Sequence, residues 1–110
     1  MIIKISESGK VSLPAGNVLG YEGEHMLRQH RVFHPNIENA MFTMMLLYED
    51  GTRKSVTIND GIMVVTRTHL PAEGIVKAQF NASRNSGSEV RTFRSEIFAV
   101  KIMPSVDTES

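Results

Sequence analysis

Short apolar runs, rich in β-branched residues and broken by Gly, Asn, Asp or Pro at intervals of roughly ten residues, leave this chain little choice but β-structure. The clearest runs are Ile2 to Ser6, Met41 to Tyr48, Ile62 to Thr66, Ile75 to Ala82 and Ile97 to Met103. Spacing of this kind is the pattern of a sandwich or barrel, and it predicts an antiparallel β-sandwich of about eight short strands with meander and Greek-key connections.

The punctuation assigns the individual pieces. Ile2 to Ser6 and a second piece around Val11 and Leu13 read as edge elements, ended by Pro14 and Gly16. The chain turns polar from Leu19 to Val32, within which a strand over Met26 to Phe33 would put Leu27, Gln29, Arg31 and Phe33 on one face. Pro35-Asn36 reads as a turn. Periodicity alone allows Met41 to Tyr48 to be a buried helix, but its length and its ending at Asp50-Gly51 favour a strand. Asp50-Gly51 suits a tight hairpin with two positive φ values, and Asn59-Asp60-Gly61 supplies another, so the centre is a meander. In the next strand Val76, Ala78, Phe80 and Ala82 take one face, with Ile75, Lys77, Gln79 and Asn81 on the other. Asn85 to Ser88 makes a turn, Val90 to Phe93 resume strand, and Ile97, Phe98, Val100, Ile102 and Met103 finish the core.

Composition narrows the class further. The 110 residues, 41% hydrophobic and 22% charged, fit one domain over residues 1–110, with 105–110 a frayed tail. Twelve Lys and Arg balance twelve Asp and Glu without a basic run, which argues against nucleic acid as a partner. No cysteine is present, so no disulfide or thiolate contributes. Charges interrupt the N-terminal apolar stretch, and no segment approaches the ~20 apolar residues of a membrane span. The expectation is cytoplasmic synthesis and no membrane partner. Seven methionines point to core filling by flexible side chains.

The polar residues offer few constellations for chemistry. His25, His30 and His34 lie close in sequence, and on a helix His30 and His34 would share a face and a metal ion. On a strand they stand ~13 Å apart, too far for one ion, and surface histidines are the simpler reading. His69 reads as a loop residue. No serine sits in a nucleophile elbow, and Ser86-Gly87-Ser88 reads as a turn. Gly20 and Gly23 lack the third glycine and the following helix of a dinucleotide site. Two of the acids could meet in space as glycosidase carboxylates do, but without tryptophan, and with only Tyr21 and Tyr48, ring platforms for sugars are scarce. Arg84, Arg91, Arg94 and Lys101, interleaved with Glu89 and Glu96, read as a solvated, mildly basic hairpin. No catalytic, metal or cofactor-binding residue is predicted, and no small-molecule ligand is expected.

Three stretches together resemble the N-terminal domain of baseplate upper proteins and related tail proteins of phages that infect Gram-positive bacteria. They are Leu19-Gly20-Tyr21-Glu22-Gly23-Glu24, the hairpin Leu47-Tyr48-Glu49-Asp50-Gly51, and Glu73 to Phe80 leading to the final run from Arg94 to Ile102. The resemblance spans nearly the whole sequence and rests on order and spacing, with no single diagnostic motif. It implies a β-sandwich that docks on other tail or baseplate proteins as part of a homo-oligomer, a trimer first, in the virion tail of a phage or prophage. The family's longer members continue into a helical linker and a distal receptor-binding or adaptor part, whereas this sequence runs to Ser110. A non-enzymatic structural or adaptor module is therefore expected. The rival readings are a carbohydrate-binding module and, behind it, a small hydrolase.

Overall fold

The computed structural model describes residues 1–25, 28–86 and 89–106. Among these residues ten strands follow one another: β1 Ile2–Ile5, β2 Val11–Ser12, β3 Val18–Tyr21, β4 Arg28–Phe33, β5 Met41–Leu47, β6 Arg53–Asn59, β7 Ile62–Val65, β8 Gly74–Ser86, β9 Glu89–Arg94 and β10 Phe98–Met103. Among the described residues one 3-10 turn, Arg67–His69, interrupts them. The strands join in the order β2-β1-β4-β7-β6-β5-β8-β10-β3, with β9 also on β8.

The all-β class agrees with the sequence reading, but the plain antiparallel sandwich does not. β1 pairs with β4 in parallel, and β3 pairs with β10 in parallel, so the sheet is mixed. Both pairs join strands far apart in sequence, and parallel pairing needs long crossovers that leave no local turn signature. For the same reason β1 is an inner strand between β2 and β4, not an edge. The polar stretch after Leu19 also hides a strand, β3, whose Leu19 and Gly20 are buried.

The central meander is as expected, β5 to β6 to β7, with antiparallel pairs throughout. Its two turns differ. Asp60 and Gly61 both have positive φ, 52° and 74°, in a two-residue loop closed by the Asn59–Ile62 pair. At Asp50-Gly51 only Gly51 is left-handed, at 88°. There Gly51 N–H donates to the Tyr48 carbonyl, Tyr48 N–H to the Thr52 carbonyl, and Thr52 N–H to the Asp50 carboxylate at 2.8 Å. That is a three-residue loop with a glycine bulge, so Asp50 needs no strained backbone.

Alternation then builds one core inside the curled sheet. Met44 and Leu46 of β5, Val56 and Ile58 of β6, and Met63 and Val65 of β7 are all buried, as are Val76, Ala78, Phe80 and Ala82 of β8. Ile3, Ile5, Leu19, Val32, Tyr48, Leu70, Val100 and Ile102 complete it. Ile97, expected inside, is 62% exposed. Met44 and Met63 fill core as expected, whereas Met41 and Met45 face solvent. Gln29, Arg31 and Phe33 do share the outer face of β4; Leu27, assigned with them, lies outside the described residues. So do Gly87 and Ser88 of the predicted 85–88 turn, whose Asn85 and Ser86 extend β8 instead, and residues 107–110 of the predicted tail. Ser105, the first residue of that tail, is tied down, its Oγ donating to the Glu22 carbonyl at 2.8 Å.

A cationic sheet face and a histidine seam

β8 is long enough to serve three neighbours. Along one edge it pairs with β5 from Lys77 to Ser83. Along the other its first half pairs with β10 and its second half with β9, so these two lie end to end. Cross-strand register sets the outer face in rows: Arg53, Leu47, Lys77 and Ala99 in one, and Thr57, Thr43, Asn81 and Arg94 four residues further on. Between them stand Ser55, Met45 and Gln79. A groove of about 340 Å³ runs across these strands, lined by Met45, Leu47, Arg53, Lys77, Arg94 and Ile97 among others.

Charge is segregated along the chain. Within the described segments every Asp and Glu except Glu89 lies in a turn or connection, while every Lys and Arg except Lys10 and Arg67 stands on a strand. Turn chemistry and the low strand preference of carboxylates account for the first half of that pattern. The outward positions of β5, β6, β8 and β10 carry Arg53, Lys77 and Lys101 and no carboxylate, and Arg94 of β9 joins them. The ion pair of Arg28 with Glu24, at 2.9 Å, lies elsewhere. The basic hairpin expected from sequence is thus divided. Arg94 and Lys101 belong to this face, while Arg84 and Arg91 oppose each other on the other face near the β8–β9 tip, where Arg84 reaches the Glu38 carbonyl at 3.5 Å. Arg53 and Lys77 escaped the sequence reading because they are distant in the chain and meet only through register.

His30 is not a surface histidine. It is 1% exposed, because β4 turns Arg28, His30 and Val32 inward. Its Nε2 donates to the Leu19 carbonyl of β3 at 2.6 Å, and its Nδ1 accepts from the Met1 amine at 3.1 Å. It therefore bridges β3, the last strand of the sheet order, to β4 and the start of β1, where the curled sheet meets itself. Burial holds the ring well below the usual imidazole range, and the nearby amine and Arg28 push the same way, against the Leu19 hydrogen bond.

The other histidines also have structural partners. His69 Nδ1 accepts the Thr66 N–H at 3.0 Å, and burial lowers its proton affinity against a hydrogen bond to the Ser55 backbone. Ser55 lies in the part of β6 that β7 does not pair, so the 3-10 turn covers an open edge there. His34 packs against Phe42, with ring centres 4.2 Å apart and planes tilted by 33°, and donates Nδ1–H to the Pro35 carbonyl. His25 accepts the Arg67 N–H at 3.2 Å.

The remaining sequence candidates separate. Tyr48 donates its hydroxyl to the His69 carbonyl at 2.7 Å, and burial pushes its pKa up to about 12. Tyr21 is exposed with the Arg28 guanidinium 5.1 Å over its ring. Gly20 sits under Leu70, where an added Cβ would come within 2.9 Å of a methyl carbon. Its role is close packing of backbone. Glu96 gives its carboxylate to the Val11 N–H at 2.7 Å. A second, shallower hollow of about 640 Å³ between β1, β2 and the end of β4 holds Phe33 and His34 beside Lys4 and Lys10.

No family model and no curated protein matches the chain. Among solved structures the chain is similar in fold to the N-terminal domain of phage TP901-1 ORF48, with a TM-score of 0.58 and 14% identity. The similarity covers 93% of this chain and 96% of that one, so the two share a fold from end to end.

Proposed function

We propose that this domain is a structural or adaptor module of a phage or prophage tail, carried in the virion and working through contacts with other tail or baseplate proteins. The observation that supports it is the two-way coverage of the fold shared with a phage protein domain, 93% and 96%. The sequence resemblance to baseplate upper proteins points in the same direction. A fold alone hosts many functions, so the surfaces must bear the reading as well. Here the outer face of β5, β6 and β8 is exposed around the groove, which is the equipment of a docking part. No catalytic role is assigned to any residue.

A carbohydrate-binding role draws little support from the groove, whose lining contains no ring side chain. The exposed Phe33 is engaged from one side by Arg31, 5.9 Å from its centre.

Light scattering coupled to size exclusion, over a concentration series, tests the assembly role. A discrete oligomer, a trimer first, is the expected result, since closed symmetric oligomers are the usual form of such parts. A monomer at every concentration that binds a sugar saturably would overturn the reading in favour of the carbohydrate module.

A further inference from the structure

The cations of the sheet face have an arrangement that ordinary solvation does not require. Arg53 and Lys77 flank Leu47 on the neighbouring strands in one row, roughly 10 Å apart at the usual strand spacing. Arg94 stands beyond Asn81 in a parallel row, and Met45, 45% exposed, lies between the rows. Ile97, 62% exposed, borders the same groove. The groove therefore carries an apolar strip of Leu47, Met45 and Ile97, with the uncharged Ser55 and Gln79 on either side of Met45; its rim is cationic, and no outward residue of β5, β6, β8 or β10 is acidic. Interfaces are enriched in Met and Arg at the expense of carboxylates, and an apolar centre with a charged rim is their usual anatomy.

We infer that this face docks an acidic protein surface, one that presents an apolar side chain between carboxylates spaced to meet Arg53, Lys77 and Arg94. The inference rests on the docking role proposed above and names the chemistry of its partner. Charge complementarity selects the occupant. A second copy brought face to face would set like charges against each other. A nucleic acid strand would find no aromatic ring in the groove on which to stack a base. An acidic protein meets both the cations and the apolar strip.

The test is an amide-resolved NMR titration of the intact chain with a short synthetic peptide alternating glutamate and leucine. Saturable shifts centred on Met45, Lys77, Gln79 and Arg94 are expected, together with roughly tenfold weaker binding on combining Lys77→Glu with Arg94→Glu. A peptide alternating lysine and leucine should leave the face silent, and one alternating glutamate and serine should bind more weakly. The neutral pair Lys77→Gln and Arg94→Gln provides the same comparison if charge reversal disturbs the fold. Absence of saturable shifts on the face, shifts centred instead on Arg84, or equal displacement of the peptide by oligothymidylate would overturn the inference. The mass measurement on the same samples separates the two ideas. A discrete oligomer with a silent face removes the acidic partner and leaves the assembly role standing, whereas a titrating face on a sugar-binding monomer does the reverse.

Discussion

The hydroxyl of Ser95 accepts the Phe80 N–H at 3.0 Å, at the one point along β8 where β9 has ended and β10 has not begun. The same hydroxyl donates to the Glu96 carbonyl at 2.8 Å, and the Ser95 N–H donates to the Phe80 carbonyl at 3.1 Å. Ser95 is 3% exposed, so a side chain here replaces the ladder bond that a continuous strand would have made. Ser95→Ala leaves a buried N–H without an acceptor and is expected to cost about 1–3 kcal/mol in urea unfolding. An unchanged midpoint would mean that water or a shifted backbone satisfies Phe80 equally well.

His30 predicts a pH dependence with a definite sign. Its folded pKa lies below the unfolded value of about 6.5, so between the two the unfolded chain binds more protons. Stability is then fully present above about pH 6.5 and falls as pH drops through the folded pKa. Protonation would also turn Nδ1 from acceptor to donor against the Met1 amine. His69 shifts in the same direction, so its contribution must be separated. In urea melts between about pH 8 and 5, above the main carboxylate range, His30→Gln should flatten most of the slope and His69→Gln less. A slope untouched by His30→Gln would locate the titration elsewhere.

Tyr48 acts at the opposite end of the scale. Burial raises its pKa to about 12, above the ordinary value of about 10, so its contribution is intact below pH 10 and is lost as pH rises through 12. Tyrosinate absorbance should show a late phase near pH 12, provided the fold survives, and Tyr48→Phe should abolish it. The same variant removes the hydrogen bond to His69 and should cost about 0.5–1.5 kcal/mol at neutral pH.

These residues also show what the sequence disclosed. The core face of β8 and the β5–β6–β7 meander were legible, because alternation and Asp-Gly turns are local signals. His30 was misplaced: with Gln29 and Arg31 beside it, a polar ring at an inward position looks like any other surface residue. Its inward role depends on the Leu19 carbonyl, supplied by a strand paired to β10 some eighty positions away in the chain. The parallel pairs were illegible for the same reason, and the cationic face likewise emerges only when register aligns Arg53 with Leu47 and Lys77.

The closure of the sheet's other end rests on Glu96 and Gly9. Glu96 accepts the Val11 N–H through its carboxylate at 2.7 Å and donates its own N–H to the Gly9 carbonyl at 2.8 Å. Gly9 is left-handed, at φ 87°, and an added Cβ would lie 3.2 Å from the Arg94 carbonyl. Gly9→Ala therefore meets backbone on one side and an unfavourable conformation on the other, and should destabilise the chain by about 1–2 kcal/mol. Glu96→Ala removes only the side-chain bond. Its effect should be local: faster amide exchange at Val11, with β5 and β8 unchanged, because the β1–β2 hairpin joins the rest of the sheet through β4 as well. Accelerated exchange across β8 would show instead that the seam and the central sheet open as one unit.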